Sequence, residues 1–191
     1  MKRREAIKNA GLFIGGAAFS TITLSSLAGC QTNAGDAVST VSGWKPDYLS
    51  VDQGAIVRRI ADILIPTTDT PGALDAGVPE YINMVARDIM KPEDQESFKE
   101  GFSQFAKACQ SANGKSFVNC TAEEQLSFLQ KLEKEAASAD SPSFIEAMKN
   151  MTYRGFFTSE AGMTEVLNFD PVPGNYDGCI SLEEAGGAWA M

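Results

Sequence analysis

The chain of 191 residues has four cysteines and 25 acidic residues but no histidine, so thiols and carboxylates are its main candidates for chemistry. The absence of histidine excludes Ser-His-Asp and Cys-His catalysis, haem attachment through a C-x-x-C-H motif, and histidine-rich metal sites. The sequence also has no G-x-G-x-x-G motif and no Walker loop, which are the usual nucleotide-binding signatures. These observations predict a chain that holds no cofactor and no metal, and that is not a catalyst by itself.

Carboxylates offer a route to acid–base catalysis. Asp62 and Asp69 are seven residues apart, a spacing that places two side chains on nearly the same face of a helix. Pro66 lies between them and interrupts a helix, so the pair does not keep this geometry. An enzyme that uses these carboxylates is therefore the weaker hypothesis.

The first cysteine, Cys30, ends a segment typical of an export signal. Arg3 and Arg4 stand at the head of the chain, followed by a weakly apolar run over residues 10–28. Paired arginines at this place predict the twin-arginine export route. The run is near the minimum length of about 18 residues for a membrane span. Its glycine, serine and threonine content, and its end in Leu-Ala-Gly-Cys, favour instead a cleaved signal over residues 1–29 and a lipid-accepting Cys30, as in bacterial lipoproteins.

Removal of the signal leaves an acidic chain held to a membrane by its lipid. Four of the 16 basic residues and one of the 25 acidic residues lie in the signal, which leaves 12 and 24 and a net charge of −12. Such a surface repels phosphate backbones, so nucleic acid is not an expected partner. We expect the chain on the periplasmic side of a bacterial membrane. The outer membrane is slightly favoured, because Gln31 and not aspartate follows Cys30.

Two of the remaining cysteines form a candidate disulfide. An exported chain meets an oxidising compartment, in which cysteines commonly pair. Cys109 and Cys120 would close a loop with ten intervening residues, and their disulfide would stabilise the fold by about 2–3 kcal/mol. The alternative is that both of them, and Cys179, are thiols.

Cap residues and apolar spacing predict five helices and a short sixth. The sixth covers residues 160–167 and has Ser159 as its cap. The other helix starts are marked by Ser50 with Gln53, Pro79, Pro92, Thr121 with Glu124, and Ser141 with Pro142. Apolar residues then recur three and four positions apart, as on one face of a helix. They are Ile56, Ile60, Ile63 and Leu64; Ile82, Val85 and Ile89; Phe98, Phe102, Phe105 and Cys109; Leu126, Leu129 and Leu132; and Phe144, Ile145, Met148 and Met151.

These patterns predict an all-α fold. Residues 48–191 are expected to form a single compact helical domain of about five to six helices with an irregular C-terminal tail. Residues 30–47 are small and polar, which is typical of a tether. No segment alternates convincingly with a period of two, so a substantial sheet is not expected.

Two stretches of the mature chain have distinctive motifs. Residues 61–73 (ADILIPTTDTPGA) and 75–82 (DAGVPEYI) make up the first, and residues 155–162 (GFFTSEAG) and 173–179 (PGNYDGC) the second. Together they resemble the small subunit (subunit 3, or gamma) of membrane-bound gluconate 2-dehydrogenase. The resemblance covers roughly residues 48–180.

The resemblance implies an accessory role. In that family the small subunit carries no cofactor and pairs with a large FAD-binding subunit that oxidises a sugar acid, polyol or sugar. Electrons then pass to a cytochrome c subunit or directly toward quinone. A flavoprotein that takes up FAD in the cytoplasm must cross the membrane folded, and it can travel with a small subunit that bears the signal. The lipobox departs from many members of the family, and nothing here identifies gluconate as the substrate.

The candidate partner contacts lie in loop 66–72 and tail 171–179. They are Pro66, Thr68, Asp69, Pro71, Gly72, Pro173, Gly174 and Tyr176. The loop has strong turn chemistry, and Asp69 is expected to accept backbone amides there, which leaves a plain connector as the alternative. Tyr176 is expected to anchor a partner or to pack on its own domain. For residues 158–160 a helix cap accounts for the sequence.

A small-ligand-binding periplasmic lipoprotein is the alternative function. The mature chain is small for a two-lobed cleft, and Trp44 and Trp189 are the tryptophans available for stacking on a ligand. The accessory-subunit hypothesis is therefore preferred.

Overall fold

The computed structural model describes residues 44–138, 143–172, 174 and 178–190. Its helices are α1 (Val51–Leu64), α2 (Val78–Met84), α3 (Pro92–Asn113), α4 (Ala122–Ala137), α5 (Phe144–Phe157) and α6 (Leu182–Ala185). Wide π-helical turns follow α2 (Val85–Ile89) and α5 (Gly162–Val166), and a 3-10 turn (Phe117–Asn119) precedes α4. Strands β1 (Asn168–Phe169) and β2 (Trp189–Ala190) pair in parallel, with Asn168 opposite Trp189. The predicted all-α fold is confirmed.

Capping boxes start two of the helices as the sequence predicts. At α1 the Ser50 hydroxyl accepts the Gln53 N–H at 3.2 Å, and the Gln53 side chain accepts the Ser50 N–H at 2.9 Å. At α4 Thr121 and Glu124 make the same reciprocal pair. Each box satisfies backbone donors that a helix start would otherwise leave without a partner.

The core lies where α1 meets α2 and α5, and where α3 meets α4 and α5. The predicted phenylalanine face of α3 is buried, and its rings meet Phe144 of α5, whose centroid lies 4.8 Å from that of Phe102. Buried apolar residues come from all five longer helices, with Phe128 and Leu129 from α4, and from the 3-10 turn. They include Val57, Ile60, Val78, Ile82, Cys109, Phe117 and Met148.

The start of α5 differs from the prediction. The helix begins at Phe144, and its N-cap is Ser143, whose hydroxyl accepts the Glu146 N–H at 3.3 Å. The predicted start at Ser141 and Pro142 is therefore wrong, and both of those residues lie outside the described part of the chain. Serine followed three residues later by glutamate was the stronger signal, because it supplies a side-chain acceptor for the first turn.

Two predicted core positions lie on the surface. Ile89 is 65% exposed, because the Met90 N–H donates to the carbonyl of Val85, five residues back, at 3.0 Å. This widened turn changes the angle between successive side chains and turns Ile89 away from the core. Leu126 is 47% exposed, since α4 directs the neighbouring Gln125 inward instead.

A buried amide fastens the chain where it enters the helical domain. The Asn83 Nδ2 on α2 donates to Asp47 at 2.5 Å, while its Oδ1 accepts the N–H groups of Tyr48 at 3.3 Å and Leu49 at 3.1 Å. The Asn83 hydrogen bond, helped by the charge of Arg87, holds the pKa of Asp47 below its usual value. The last residue of the predicted tether and the two residues after it are thus fixed to α2.

Candidate functional site

The predicted contact loop joins α1 to α2 and is closed by backbone hydrogen bonds. The Ala73 N–H donates to the Ile65 carbonyl at 2.8 Å, which brings the two ends of loop 66–72 together. Inside the loop, the Thr68 N–H donates to the Thr70 carbonyl at 3.0 Å. A segment with joined ends and internal bonds is a compact loop and not an extended connector.

Asp75 fixes the shape of the loop from outside it. Its carboxylate accepts the Thr67 hydroxyl at 2.6 Å and the Gly72 N–H at 3.0 Å. These donors, Thr67 first, keep the pKa of Asp75 below its usual value because they favour the charged form. Asp69, expected to accept backbone amides, instead accepts the Thr68 hydroxyl at 3.0 Å. The prediction for Asp69 is wrong, because the carboxylate that serves the turn stands three residues after the glycine.

Gly72 is required by the close approach of two backbone segments. A Cβ at this position would lie 2.5 Å from the Thr67 nitrogen and 2.8 Å from the Pro66 carbonyl carbon. Both are backbone atoms, which cannot move aside as the end of a flexible side chain can. Only glycine therefore fits this loop in its present shape.

The outer surface of the loop is polar. Pro66, Thr68 and Asp69 are exposed, whereas Pro71 is half-buried and Gly72 is buried. A fixed backbone thus presents the first three to solvent, and the last two support it from within. That these residues contact a partner stays a prediction.

The second motif packs directly against the first. Gly155 on α5 lies so close to α2 that a Cβ there would be 2.7 Å from the Cδ1 atom of Tyr81. After α5, the Ser159 hydroxyl accepts the Gly162 N–H at 3.0 Å. The interpretation of residues 158–160 as a helix cap is confirmed at Ser159. The predicted short helix is present as a π-helical turn.

The C-terminal tail is held by a small set of hydrogen bonds. The Asn168 N–H donates to the Ala188 carbonyl at 2.8 Å, and this bond supports the pairing of β1 with β2. The Trp189 indole and the Asn168 side chain both donate to the Ala185 carbonyl, at 3.0 and 3.2 Å. These bonds join the segment just before tail 171–179 to the C-terminal residues after it.

The described parts of the tail expose large apolar side chains. Val172 is 81% exposed and Trp189 is 49% exposed. Of the predicted contacts in the tail, Gly174 is exposed, and among the described residues no heavy atom beyond its chain neighbours lies within 4 Å of the place its Cβ would take. Pro173 and Tyr176 lie outside the described residues.

Residues 51–174 fit the family model of gluconate 2-dehydrogenase subunit 3, a region that contains the first motif and the second motif as far as Gly174. The chain belongs to the gluconate 2-dehydrogenase subunit 3 family. The predicted resemblance is therefore confirmed. Membership makes the chain a subunit of a gluconate 2-dehydrogenase-like complex and implies a dehydrogenase partner. No curated protein and no solved structure matches the chain.

Other predicted sites of this subunit 3 chain stand as follows. Arg3, Arg4 and Cys30 lie outside the described residues, so export and lipidation stay predictions. Cys109 and Cys120 are buried thiols with their Sγ atoms 3.9 Å apart. Among the described residues, no helix has the length and apolar character to cross a membrane, and no three acidic or thiol side chains are grouped to hold a metal ion.

Sequence reasoning missed a polar link between α1 and α4. Arg59, one and a half turns before the end of α1, donates through Nε to the buried Gln125 of α4 at 2.5 Å. The Gln125 amide donates to the Phe117 carbonyl at 2.8 Å, and Arg59 also pairs with Asp62 at 2.7 Å. The available signal was the position of Gln125, three residues before the buried Phe128, on the core face of α4.

Proposed function

We propose that this chain is the cofactor-free accessory subunit of a membrane-associated, FAD-dependent dehydrogenase of sugars, sugar acids or polyols. The observation that carries the proposal is the family match over residues 51–174. The absence of histidine and of a nucleotide-binding loop supports the assignment of FAD to the large partner subunit. A cytochrome c subunit is the third component that the family resemblance suggests.

In this proposal the chain also exports and anchors its partner. Arg3 and Arg4 direct the folded complex to twin-arginine export, and the lipid on Cys30 holds it on the periplasmic side, with the outer membrane slightly favoured. Each buried CH₂ of an acyl chain contributes about 0.8 kcal/mol, so several chains on one residue anchor stably. Stabilisation of the flavoprotein subunit is the third part of the role.

The anchor and the signal can be tested apart from the partner. We expect the Cys30→Ala variant to be lost from the membrane fraction. In a detergent phase-separation assay it should appear in the aqueous phase and not in the detergent phase. Replacement of Arg3 and Arg4 by lysine should leave the precursor inside the cell. If the Cys30→Ala form still enters the detergent phase, the lipid anchor is wrong, although the partner assignment survives.

Loop 66–72 and tail 171–179 are the proposed contacts with the flavoprotein subunit. Asp75 and the bond between Ala73 and Ile65 hold the loop in one shape, so little freedom is lost on docking. Tail 171–179 adds the exposed apolar side chain of Val172, which a partner would cover.

The accessory role is tested on the chain alone. Expressed without its partner and purified, it is expected to show no flavin absorption band and to oxidise no sugar. Flavin travelling with the pure chain at near one per molecule overturns the accessory assignment, whatever the result for the anchor.

A small-ligand-binding role is the second candidate, and one cavity favours it. The cavity lies between α3, α4 and α5, has a volume of about 320 Å³, and is lined by Phe105, Leu132 and Phe144 among others. This volume is at the lower end of the range of about 300–1,000 Å³ for small-molecule pockets. Thermal melting with gluconate and other sugar acids separates the two roles. We expect no shift, and a saturable rise in melting temperature favours the ligand-binding role.

A further inference from the structure

Two buried sulfur atoms meet at the corner between α3 and α4. Cys109 lies in the last full turn of α3, and Cys120 immediately precedes the Thr121 cap of α4. Both side chains are buried, and their Sγ atoms are 3.9 Å apart. A disulfide needs a separation of about 2.0 Å, so each sulfur would move by about 1 Å.

The surroundings hold both thiols at the same point. The Asn113 Nδ2 donates to Cys109 at 3.6 Å and to Cys120 at 3.5 Å. The two S–H groups donate to neighbouring carbonyls of the corner, those of Lys115 at 3.7 Å and Ser116 at 3.4 Å. The shared Asn113 donor and the two carbonyl acceptors thus hold both sulfur atoms at this corner, facing each other.

We propose that Cys109 and Cys120 form an intramolecular disulfide that clasps the end of α3 to the start of α4. In the cell the bond rests on the proposed export, which supplies the oxidising compartment. The oxidant is a disulfide, either of a thiol–disulfide exchange protein or of oxidised glutathione. One cysteine thiolate attacks it and releases a thiol, and the second cysteine then attacks the mixed disulfide and releases the other. The two cysteines lose two protons and two electrons, and the disulfide of the oxidant gains them.

The disulfide would also restrain a polar link between the corner and α1. The carbonyl of Phe117, inside the closed loop, accepts the Gln125 amide at 2.8 Å, and Gln125 in turn accepts Arg59 of α1. A bond between Cys109 and Cys120 therefore restrains the turn on which this polar link depends.

Burial determines how the bond forms. Desolvation raises the pKa of Cys109 to about 11, so little of it is thiolate at neutral pH. The folded chain should thus react more slowly than a chain in which this corner has opened. For that reason the equilibrium is best measured after unfolding and refolding.

The test uses the full chain with Cys30→Ala and Cys179→Ser, which leaves Cys109 and Cys120 as its two cysteines. It is unfolded in urea, refolded to equilibrium in equal concentrations of reduced and oxidised glutathione, quenched with acid and alkylated in denaturant. We expect a mass lower by two hydrogens, no alkylation, and one cross-linked peptide that contains both cysteines. Two alkylated cysteines, or glutathione adducts in place of the cross-link, overturn the proposal.

A matched variant tests the clasp itself. Reductant is expected to lower the melting temperature of the oxidised chain by at least about 5 °C. The same chain with Cys120→Ser should show no shift with reductant. If the melting temperature of the oxidised chain is no higher than that of the reduced chain, the disulfide does not stabilise the fold and the proposal is overturned. Export does not enter these measurements, so their failure leaves the proposed function intact, and a failure of export leaves their result unchanged.

Discussion

Loop 66–72 and the C-terminal tail are the two segments predicted to meet a partner, and they are built in different ways. The loop is polar outside, Asp75 holds it from just beyond its C-terminal end, and Gly72 allows its backbone segments to approach closely. The described parts of the tail are joined mainly to each other, and they expose apolar side chains such as Val172. The loop has its shape without a partner, because hydrogen bonds within the chain hold it. The tail instead exposes apolar surface that a partner would cover.

Because of this difference, substitutions in the loop and in the tail should affect different properties, the stability of the isolated chain and its affinity for the flavoprotein subunit. A change inside the loop should destabilise the isolated chain, because the loop contributes to the packing between α1 and α2. A change in the tail should leave the isolated chain unaltered and weaken its pairing with the flavoprotein subunit. The two regions can therefore be compared by the same pair of measurements, melting temperature and affinity.

The largest effect is expected from the same substitution made in both regions. Gly72→Ala places a Cβ against the Thr67 backbone and should cost about 3 kcal/mol of unfolding free energy. Gly174→Ala meets open space and should change nothing. Chemical denaturation of both variants measures the contrast. If the two variants have the same free energy of unfolding, the claim that the loop requires glycine at position 72 is wrong.

The second effect is on binding. We expect Tyr176→Ala to weaken pairing with the flavoprotein subunit about thirtyfold, since loss of a buried aromatic anchor costs about 2 kcal/mol. The melting temperature of the isolated chain should not change. A lowered melting temperature with pairing retained would indicate that Tyr176 packs within its own domain and does not contact the partner.

The third effect depends on pH. Asp75→Asn removes a charge that accepts two hydrogen bonds and should cost about 1 kcal/mol at pH 7. Because the folded pKa of Asp75 is lowered, its contribution is present above its unfolded pKa of about 3.9 and is lost as the pH falls through the folded pKa. Denaturation at pH 7 and below pH 4 measures the change. Asp69→Asn is the control and should alter stability by less than about 0.5 kcal/mol.

The smallest effect is expected at the most exposed position. Val172→Ser should leave unfolding free energy within about 0.5 kcal/mol, because the side chain is 81% exposed. Pairing should weaken about threefold if the partner covers this valine. Titration by calorimetry measures the affinity, and an unchanged value removes Val172 from the proposed contact.

Local signals in the sequence predicted much of the fold. The capping boxes at Ser50 and Thr121 and the phenylalanine face of α3 depend on neighbouring residues, and all three are confirmed. Errors arose where one turn departed from regular geometry. The π-helical turn at residues 85–89 places Ile89 on the surface, and no residue type in this segment predicts a π-helical turn.

The interior of the candidate site was harder to predict, because it depends on contacts between distant residues. The motif located the loop, and turn chemistry indicated its nature. The choice of Asp75 over Asp69 as the acceptor, however, is decided by where α2 begins. In the same way, Arg59 meets Gln125 across 66 positions of sequence, a contact that helical spacing alone cannot reveal.

We propose that this subunit 3 chain pairs with a flavoprotein and carries no flavin itself. The most direct test is to purify the tagged full chain from its own host's envelope and to measure protein stoichiometry and flavin absorption together. We predict a larger chain at one to one, with a flavin band that stays with the larger chain when the two are separated. A flavin band that stays with the small chain, or a small chain that purifies alone, would contradict the account.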